Sequence, residues 1–534
     1  MRLLKTCFVT LALLLAALGS PVYGQTTSPA DGGAKPATTP ASEEEVQQLR
    51  REVAELKAQI QRLVQASAKQ APRDARLVQA SDVLASSVEP DDASAPAAVT
   101  PADIDSLQKE IEVLQKKASD TPPATSGWTG EHFFLKSPDG QFTIMPVGYL
   151  NAQYTFYKGD GAPSDTFAIR RARFGVQGSY GKQLDYAFLF DTAATNGISV
   201  RDAYADFKPW SSFQIQAGQF KVPFSQEVGT GDTNVEFIER SNITNLYPDA
   251  AGTFRAPGFT VHGSLNEGVV QYWGGIFNGK GIITNNTTNE PEFVTRVRIF
   301  PFKKNKDSLF KNFAIGGSYE HSRSRGLSNE LSFSGVMNDS AYTFFPQFRI
   351  NGGIDRYNAH FQWLHKQWGL RGEYTQILEK RTGIGSEQLG GIGFQTLPGI
   401  TGKGAYFQVG YLLTGEDEPE NAIPRVKHPL IGPPSPGESG GPGWGAFQVR
   451  FRYSWIEGRA PEFICPATTC PITPVIFPLQ SDHTDQFSTG LNWYLNYWVL
   501  LKFDFNLDRL VNPSVQGIAR QNYFVALQGV QFRF

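Results

Sequence analysis

The stretch Phe447-Gln448-Val449-Arg450-Phe451-Arg452-Tyr453-Ser454-Trp455 alternates without a break between five apolar or aromatic side chains and a glutamine, two arginines and a serine. Side chains of an extended chain point to opposite faces in turn, so this is a strand with one greasy side and one wet side. The same alternation recurs along the chain in both directions. Towards the C-terminus, Val499, Leu501, Phe503 and Phe505 oppose Lys502, Asp504 and Asn506. Towards the N-terminus, Tyr357, Ala359, Phe361 and Trp363 oppose Arg356, Asn358, His360 and Gln362. Further back, Tyr186, Phe188 and Phe190 oppose Asp185 and Asp191, and Ala172, Phe174 and Val176 oppose Arg171, Arg173 and Gln177. The series begins with Leu150, Ala152, Tyr154 and Phe156 against Asn151, Gln153 and Thr155.

A soluble sandwich also alternates, but a chain this long would divide into domains joined by linkers, and none follows Gly130. After the first 24 residues no apolar run is long enough to cross a bilayer as a helix, so a membrane form must be a closed barrel. The expectation is an all-β, antiparallel transmembrane barrel over residues 131–534, preceded by a helical coiled-coil arm. Strands of roughly ten residues with turns and longer loops give about sixteen strands, with about eighteen as the other count. Trp363 with Trp368, and Trp493-Tyr494 with Tyr497-Trp498, fall at expected strand ends, where an interfacial aromatic girdle belongs. The chain closes on the alternating strand Gln528-Gly529-Val530-Gln531-Phe532-Arg533-Phe534. Composition agrees, with 13% aromatic residues and 53 glycines, and a formal net charge of −2 argues against a nucleic-acid partner.

The N-terminal part reads differently. Residues 1–24 have the form of a secretory signal peptide: two positive charges, an apolar run over 7–18 and small residues before a cut after Gly24. Residues 25–42, rich in Thr, Pro, Ala and Gly, are a linker. Over 43–118 the period lengthens. Val46, Leu49, Val53, Leu56, Ile60 and Leu63 alternate spacings of three and four, and Ile104, Leu107, Ile111 and Leu114 resume them after a Pro/Ala-rich break near 68–102. This seam is read as a periplasmic coiled-coil arm, with a helix face packed on a globular body as the alternative. β-branched residues at its first position and leucine at its fourth favour a parallel dimer. A second linker, 119–130, leads to the barrel. Without the signal peptide, Cys465 and Cys470 are the remaining cysteines; in an oxidising compartment they are a disulfide candidate, with two free thiols as the alternative.

Several motifs in the strand-built region resemble the phosphate-selective porin O and P family. They are Arg201-Asp202-Ala203-Tyr204, Gly218-Gln219-Phe220-Lys221-Val222-Pro223-Phe224, Phe277-Asn278-Gly279, Gly410-Tyr411-Leu412-Leu413-Thr414-Gly415-Glu416, the run 445–454, and Gly490-Leu491-Asn492-Trp493-Tyr494-Leu495-Asn496. The resemblance covers most of the chain from about Gly148. It implies a sixteen-stranded homotrimeric porin of the outer membrane, often preceded by a helical arm. It also implies an hourglass channel lined by basic residues and narrowed by the third external loop. Three copies rest on the resemblance alone, against the dimer favoured by the seam.

Selectivity in such a channel follows from pore radius and from the charge at its constriction. Strand parity turns Arg171, Arg173, Arg296, Arg298, Arg356, Arg371, Arg450 and Arg452 inward as pore-lining candidates. Guanidinium groups stay charged and match phosphate or carboxylate oxygens with paired donors. For any single one, a structural bridge to a lumen acid such as Asp185, Asp202, Asp206 or Glu373 is the stronger reading. In phosphate-selective relatives the constricting loop contributes lysine. Residues 222–256 hold none, and carry Glu227, Asp232, Glu236, Glu239, Arg240 and Arg255 as constriction candidates. The expected function is passive diffusion of small hydrophilic solutes, anion-leaning or general rather than phosphate-specific, in a lipid bilayer. A tether to peptidoglycan through the arm is the alternative, and the two can coexist. Gly437-Glu438-Ser439-Gly440-Gly441 has the spacing of a nucleophile elbow but lies among Pro433, Pro434, Pro436 and Pro442, not between a strand and a helix. His360 and His365 fall on opposite faces of one strand and cannot share a metal. No catalysis, cofactor or metal site is expected.

Overall fold

The computed structural model describes Lys109 and residues 124–534, apart from 160–161, 194–196, 249–253, 280, 283–284, 287, 329–343, 385–394, 462, 466–474, 478 and 512–519. The signal peptide, the first linker, nearly all of the proposed arm and Cys470 lie outside the described residues.

The strands in chain order are β1 (Thr125–Trp128), β2 (Phe133–Lys136), β3 (Phe142–Lys158), β4 (Thr166–Tyr180), β5 (Leu184–Asp191), β6 (Ser199–Trp210), β7 (Phe213–Lys221), β8 (Arg255–Leu265), β9 (Val270–Phe277) and β10 (Glu292–Ile299). They continue as β11 (Ala314–Ser328), β12 (Arg349–His365), β13 (Trp368–Ile384), β14 (Gln395–Leu412), β15 (Ala446–Ala460), β16 (Phe463–Cys465), β17 (Val475–Phe477), β18 (Gln480–Tyr494), β19 (Val499–Val511) and β20 (Arg520–Arg533). Eighteen of them form one antiparallel sheet, and β16 with β17 makes a separate ribbon. β1 and β2 form a hairpin docked on the start of β3, with Leu135 opposite Ile144. The other sixteen close into a ring, because β20 pairs with β3 from Phe524↔Lys158 to Arg533↔Tyr149. Closure gives each of the sixteen strands of the ring a partner on both sides, as a bilayer requires. Among the described residues no helix is long and apolar enough to cross a membrane, which says nothing against a barrel.

The greasy face is the outer one. Tyr357, Phe451 and Leu507 are 47%, 42% and 46% exposed, whereas Arg356, Arg452 and Asp508 beside them are 1% exposed. A soluble sandwich would show the opposite burial. Parity slips at a bulge in β4. The partner of β3 jumps from Arg171 to Ile169 between Asn151 and Ala152, leaving Arg170 as the extra residue. Tyr494, expected in the outer girdle, is instead buried inside, its hydroxyl donating to Gln448 Oε1 at 2.9 Å.

The two walls differ in height. β5, β9 and β10 have 8 residues each, while β12 and β13 have 17 and β14 has 18. At one end the connections are mostly tight turns such as 211–212 and 366–367, with two long exceptions, 300–313 and 413–445. At the other end they are loops, and 222–248, between β7 and β8, does not stay outside the ring. An apolar cluster lies inside the barrel, where Ile238 and Leu246 of that loop meet Phe344 and Phe345 of the β11–β12 connection and Ile354, Ile377, Ile456 and Val525 of the wall.

Candidate functional site: a lumen narrowed from both ends

Over residues 222–248 the connection between β7 and β8 folds into the lumen. It starts with one helical turn, α1 (Gln226–Gly229), whose N-cap Ser225 accepts a hydrogen bond from Val228 N at 3.2 Å. A 3-10 turn, Asn242–Leu246, follows. Val222, Phe224, Val228, Ile243 and Tyr247 pack against Phe220, Phe277 and Tyr406 of the wall. Glycines on the inner face of β14 make room for this. A Cβ on Gly404 would come within 3.0 Å of Ile243 Cγ2, and one on Gly410 within 2.8 Å of Glu236 Oε2.

Polar struts fix the loop to the tall wall. Arg450 and Arg452 of β15 flank Phe237, their guanidinium carbons 4.6 and 4.3 Å from its ring centre. Arg450 donates to the carbonyl of Glu236 and pairs with Asp504, which also accepts from Ile238 N at 2.6 Å. Arg452 Nη1 reaches Glu239 O at 3.2 Å, Lys502 Nζ reaches Val235 O at 2.6 Å, and Arg356 Nε reaches Leu246 O at 2.9 Å. Glu373 accepts from Ser225 Oγ at 2.8 Å, Glu227 N at 2.5 Å, and the hydroxyls of Tyr247 and Tyr406 at 3.2 and 3.1 Å. Arg356, Arg450 and Arg452 thus each give bonds to loop carbonyls, while Arg356 also pairs with Glu320 of β11.

The loop's acids meet basic residues of β4, β7 and β8. Asp232 contacts Arg173, Arg240 at 2.7 Å, Lys221 at 3.6 Å and Arg255 at 3.9 Å. Burial works against its charge, yet Lys221, Arg240, Arg173 and Arg255 together hold the carboxyl well below its usual range. Arg173 also bonds Asp191 at 2.8 Å, and Arg255 grips Asp202 with two bonds at 2.9 and 3.0 Å. Glu239 takes Arg170 at 2.6 Å and Arg171 at 3.5 Å. Arg170 belongs to the lumen only because of the bulge, which a period of two cannot reveal.

A second insertion enters from the opposite end. Within 413–445, Ile423 and Val426 pack with Leu412, Ala446, Tyr494 and Leu500, and the acids before them reach into the lumen. Arg371 bridges Glu236 of the first insertion and Glu418 of the second, the latter at 2.9 Å. Gln448 donates to Glu418 at 2.8 Å, and Glu420 pairs with Arg298. The two insertions touch directly: Asn421 Oδ1 accepts from Gly231 N, and Asn421 O from Asn234 Nδ2, each at 2.7 Å. Burial, then the neighbouring charge of Glu236, pushes Glu418 up to about 7 against the pull of Arg371. Sequence reasoning missed this segment. Its signal, four acids at Glu416, Asp417, Glu418 and Glu420 before a proline-rich run, has no strand period and reads as an exposed loop.

Between the insertions and the wall lies a cavity of about 800 Å³. Of the arginines singled out by parity, Arg173, Arg296, Arg298, Arg371 and Arg452 line it, and Arg171, Arg356 and Arg450 do not. Of the loop candidates, Glu227, Asp232, Glu236, Glu239 and Arg255 line it, and Arg240 stands behind Asp232. Arg296 lies over Trp273, 5.1 Å from the ring centre, and Arg298 over Phe300 at 4.6 Å. Arg296 Nε and Arg298 Nε and Nη2 have no hydrogen-bond partner among the described residues.

Solved structures similar to the chain include a loop L8 deletion mutant of OmpT, an outer membrane protein of Vibrio cholerae, at 11% identity, 74% of this chain and 100% of that one, TM-score 0.46. OmpF of Salmonella typhi, in complex with daunomycin, is 10% identical over 77% and 100% of the two chains, TM-score 0.43. The outer membrane channel DcaP of Acinetobacter baumannii is 11% identical over 75% and 99%, TM-score 0.40. No curated protein sequence matches the chain. The sequence profile described as phosphate-selective porin O and P matches residues 148–510, from β3 to the end of β19. With a closed barrel, a narrowed lumen and that match over most of its length, the chain belongs to the phosphate-selective porin O and P family and is a porin-type channel of the outer membrane.

Proposed function

We propose that the barrel passes small hydrophilic solutes by diffusion with a weak preference for anions, and that it works as a homotrimer. The observation that carries the anion preference is the surround of Asp232, where Lys221, Arg173, Arg240 and Arg255 converge on one carboxylate. Arg296 and Arg298 add two further positive charges to the lining of the cavity. The preference is weak because the cavity as a whole is lined by eight Lys and Arg and eight Asp and Glu side chains. Nothing here favours phosphate over other anions. Lys221, at the base of the loop, gives its ammonium to the carbonyls of Val228 and Thr230, both at 2.9 Å.

The trimer reading draws on the low wall, where strands of 8 residues are shorter than a lipid-facing strand needs. The same reading puts the N-terminal arm in the periplasm. β1 enters at the end of the tight turns, the periplasmic end in outer-membrane barrels. Reversal potentials of the purified protein in planar bilayers, under a potassium chloride gradient, test the selectivity. The expected result is a chloride preference modestly above unity, with similar single-channel currents in phosphate and chloride after correction for mobility. A clear potassium preference overturns the anion reading, and saturation by dilute phosphate overturns the general-solute reading.

A further inference from the structure

The connection between β10 and β11 reads Phe300-Pro301-Phe302-Lys303-Lys304-Asn305-Lys306-Asp307-Ser308-Leu309-Phe310-Lys311-Asn312-Phe313. It lies at the end of the tight turns, but unlike 413–445 it folds outward over the lipid-facing wall. Trp363, on the outer parity of β12, donates Nε1 to Leu309 O at 3.1 Å, and its ring centre is 6.3 Å from that of Phe310. Phe302, Phe310 and Phe313 form one group with ring centres 5.8 to 6.3 Å apart. Phe302, Leu309 and Phe310 nevertheless remain 43%, 48% and 47% exposed. Lys304, Lys306 and Lys311 of the same connection are exposed, as is Lys366 in the turn between β12 and β13, and Lys304 donates to Asn266 Oδ1 at 2.5 Å and lies 3.7 Å from Glu267.

We infer that this pad seats in the periplasmic leaflet and binds the phosphate-bearing head groups of anionic phospholipids. A merely solvated lysine turn has no reason to spread phenylalanines over the outer wall. Aromatic rings settle at the head-group level of a bilayer, and lysines beside them gain from a negatively charged leaflet. The pad is continuous with the outer face of β12, so barrel insertion itself carries it to that depth. The lumen takes no part.

The test uses the full-length protein in nanodiscs that mix phosphatidylcholine and phosphatidylglycerol. Native mass spectrometry counts the lipids retained on release. Wild-type protein is expected to retain phosphatidylglycerol about tenfold over its share of the mixture. The variant K304S/K306S/K311S should fall to parity with unchanged single-channel conductance, which also certifies a folded barrel. If the triple variant fails to insert, K306S/K311S gives the same comparison with a several-fold loss. Parity in the wild type, or a preference that survives the substitutions, overturns the inference. Displacement of the lipid by millimolar inorganic phosphate overturns it as well, since the lysines would then be a simple anion site.

Discussion

Arg371 holds two carboxylates from two insertions that enter the barrel at opposite ends, Glu236 and Glu418. Because burial and Glu236 raise Glu418 to about 7, its proton is bound below that pH and lost above it. Acidification from pH 8 to pH 6 therefore removes one negative charge from the narrows and leaves Arg371 balanced by Glu236 alone. The anion preference should rise across that interval, read as a shift in reversal potential. Glu418→Gln at pH 8 should already show the acidic value and flatten the dependence. A wild-type profile without a step near neutrality would remove Glu418 from the selectivity. Period two could place Arg371 in the lumen, but Glu418 could not be found that way, because it sits in a run with no period. Arg170 was hidden for a related reason. One extra residue in β4 reverses the parity that the pattern counts on.

Among the elements, the strands were legible because lipid on one side and water on the other impose a chemical contrast at every second residue. The inserted segments were not, since their side chains answer to carbonyls and charges distant in sequence. The stretch 222–248 owes its course to Arg450 and Arg452 on either side of Phe237, to Lys502 and to Arg356. Replacing Arg450 and Arg452 with glutamine removes the charge-assisted bonds to Glu236 O and Glu239 O and the partner of Asp504. Bonds of this kind contribute about 1.5–3 kcal/mol each. The double variant should insert but conduct noisily, with closures absent from the wild type as the loop leaves the wall and enters the cavity, and its unfolding temperature should drop. A quiet channel of wild-type conductance would mean the apolar contacts of Val222, Phe224 and Tyr247 hold the loop unaided.

For the whole molecule, the uneven height of the barrel becomes a statement about assembly. A strand of 8 residues, as in β5, β9 and β10, extends about 27 Å; tilted by about 40° it covers roughly 20 Å of the membrane normal, less than the apolar band of about 25 Å. The strands of 17 and 18 residues, β12 to β14, exceed that band. Strand heights stay invisible in sequence, because alternation continues past the point where pairing stops. A low wall facing lipid would leave polar loop backbone at hydrocarbon depth, whereas one facing another copy would not. Phe188, outward on β5, and Tyr357, outward on β12, are equally exposed at 46% and 47%, so arginine at each makes a matched pair of tests. In lipid an arginine costs about 2–4 kcal/mol at mid-depth, a penalty that slows insertion but leaves assembly alone. Phe188→Arg is expected to separate the copies and Tyr357→Arg to keep them together, judged by native mass and by migration of unheated samples. Separation by Tyr357→Arg instead would move the contact to the tall wall. A wild-type mass of two copies would mean that the seam over 46–63, with its preference for paired helices, prevails over the barrel.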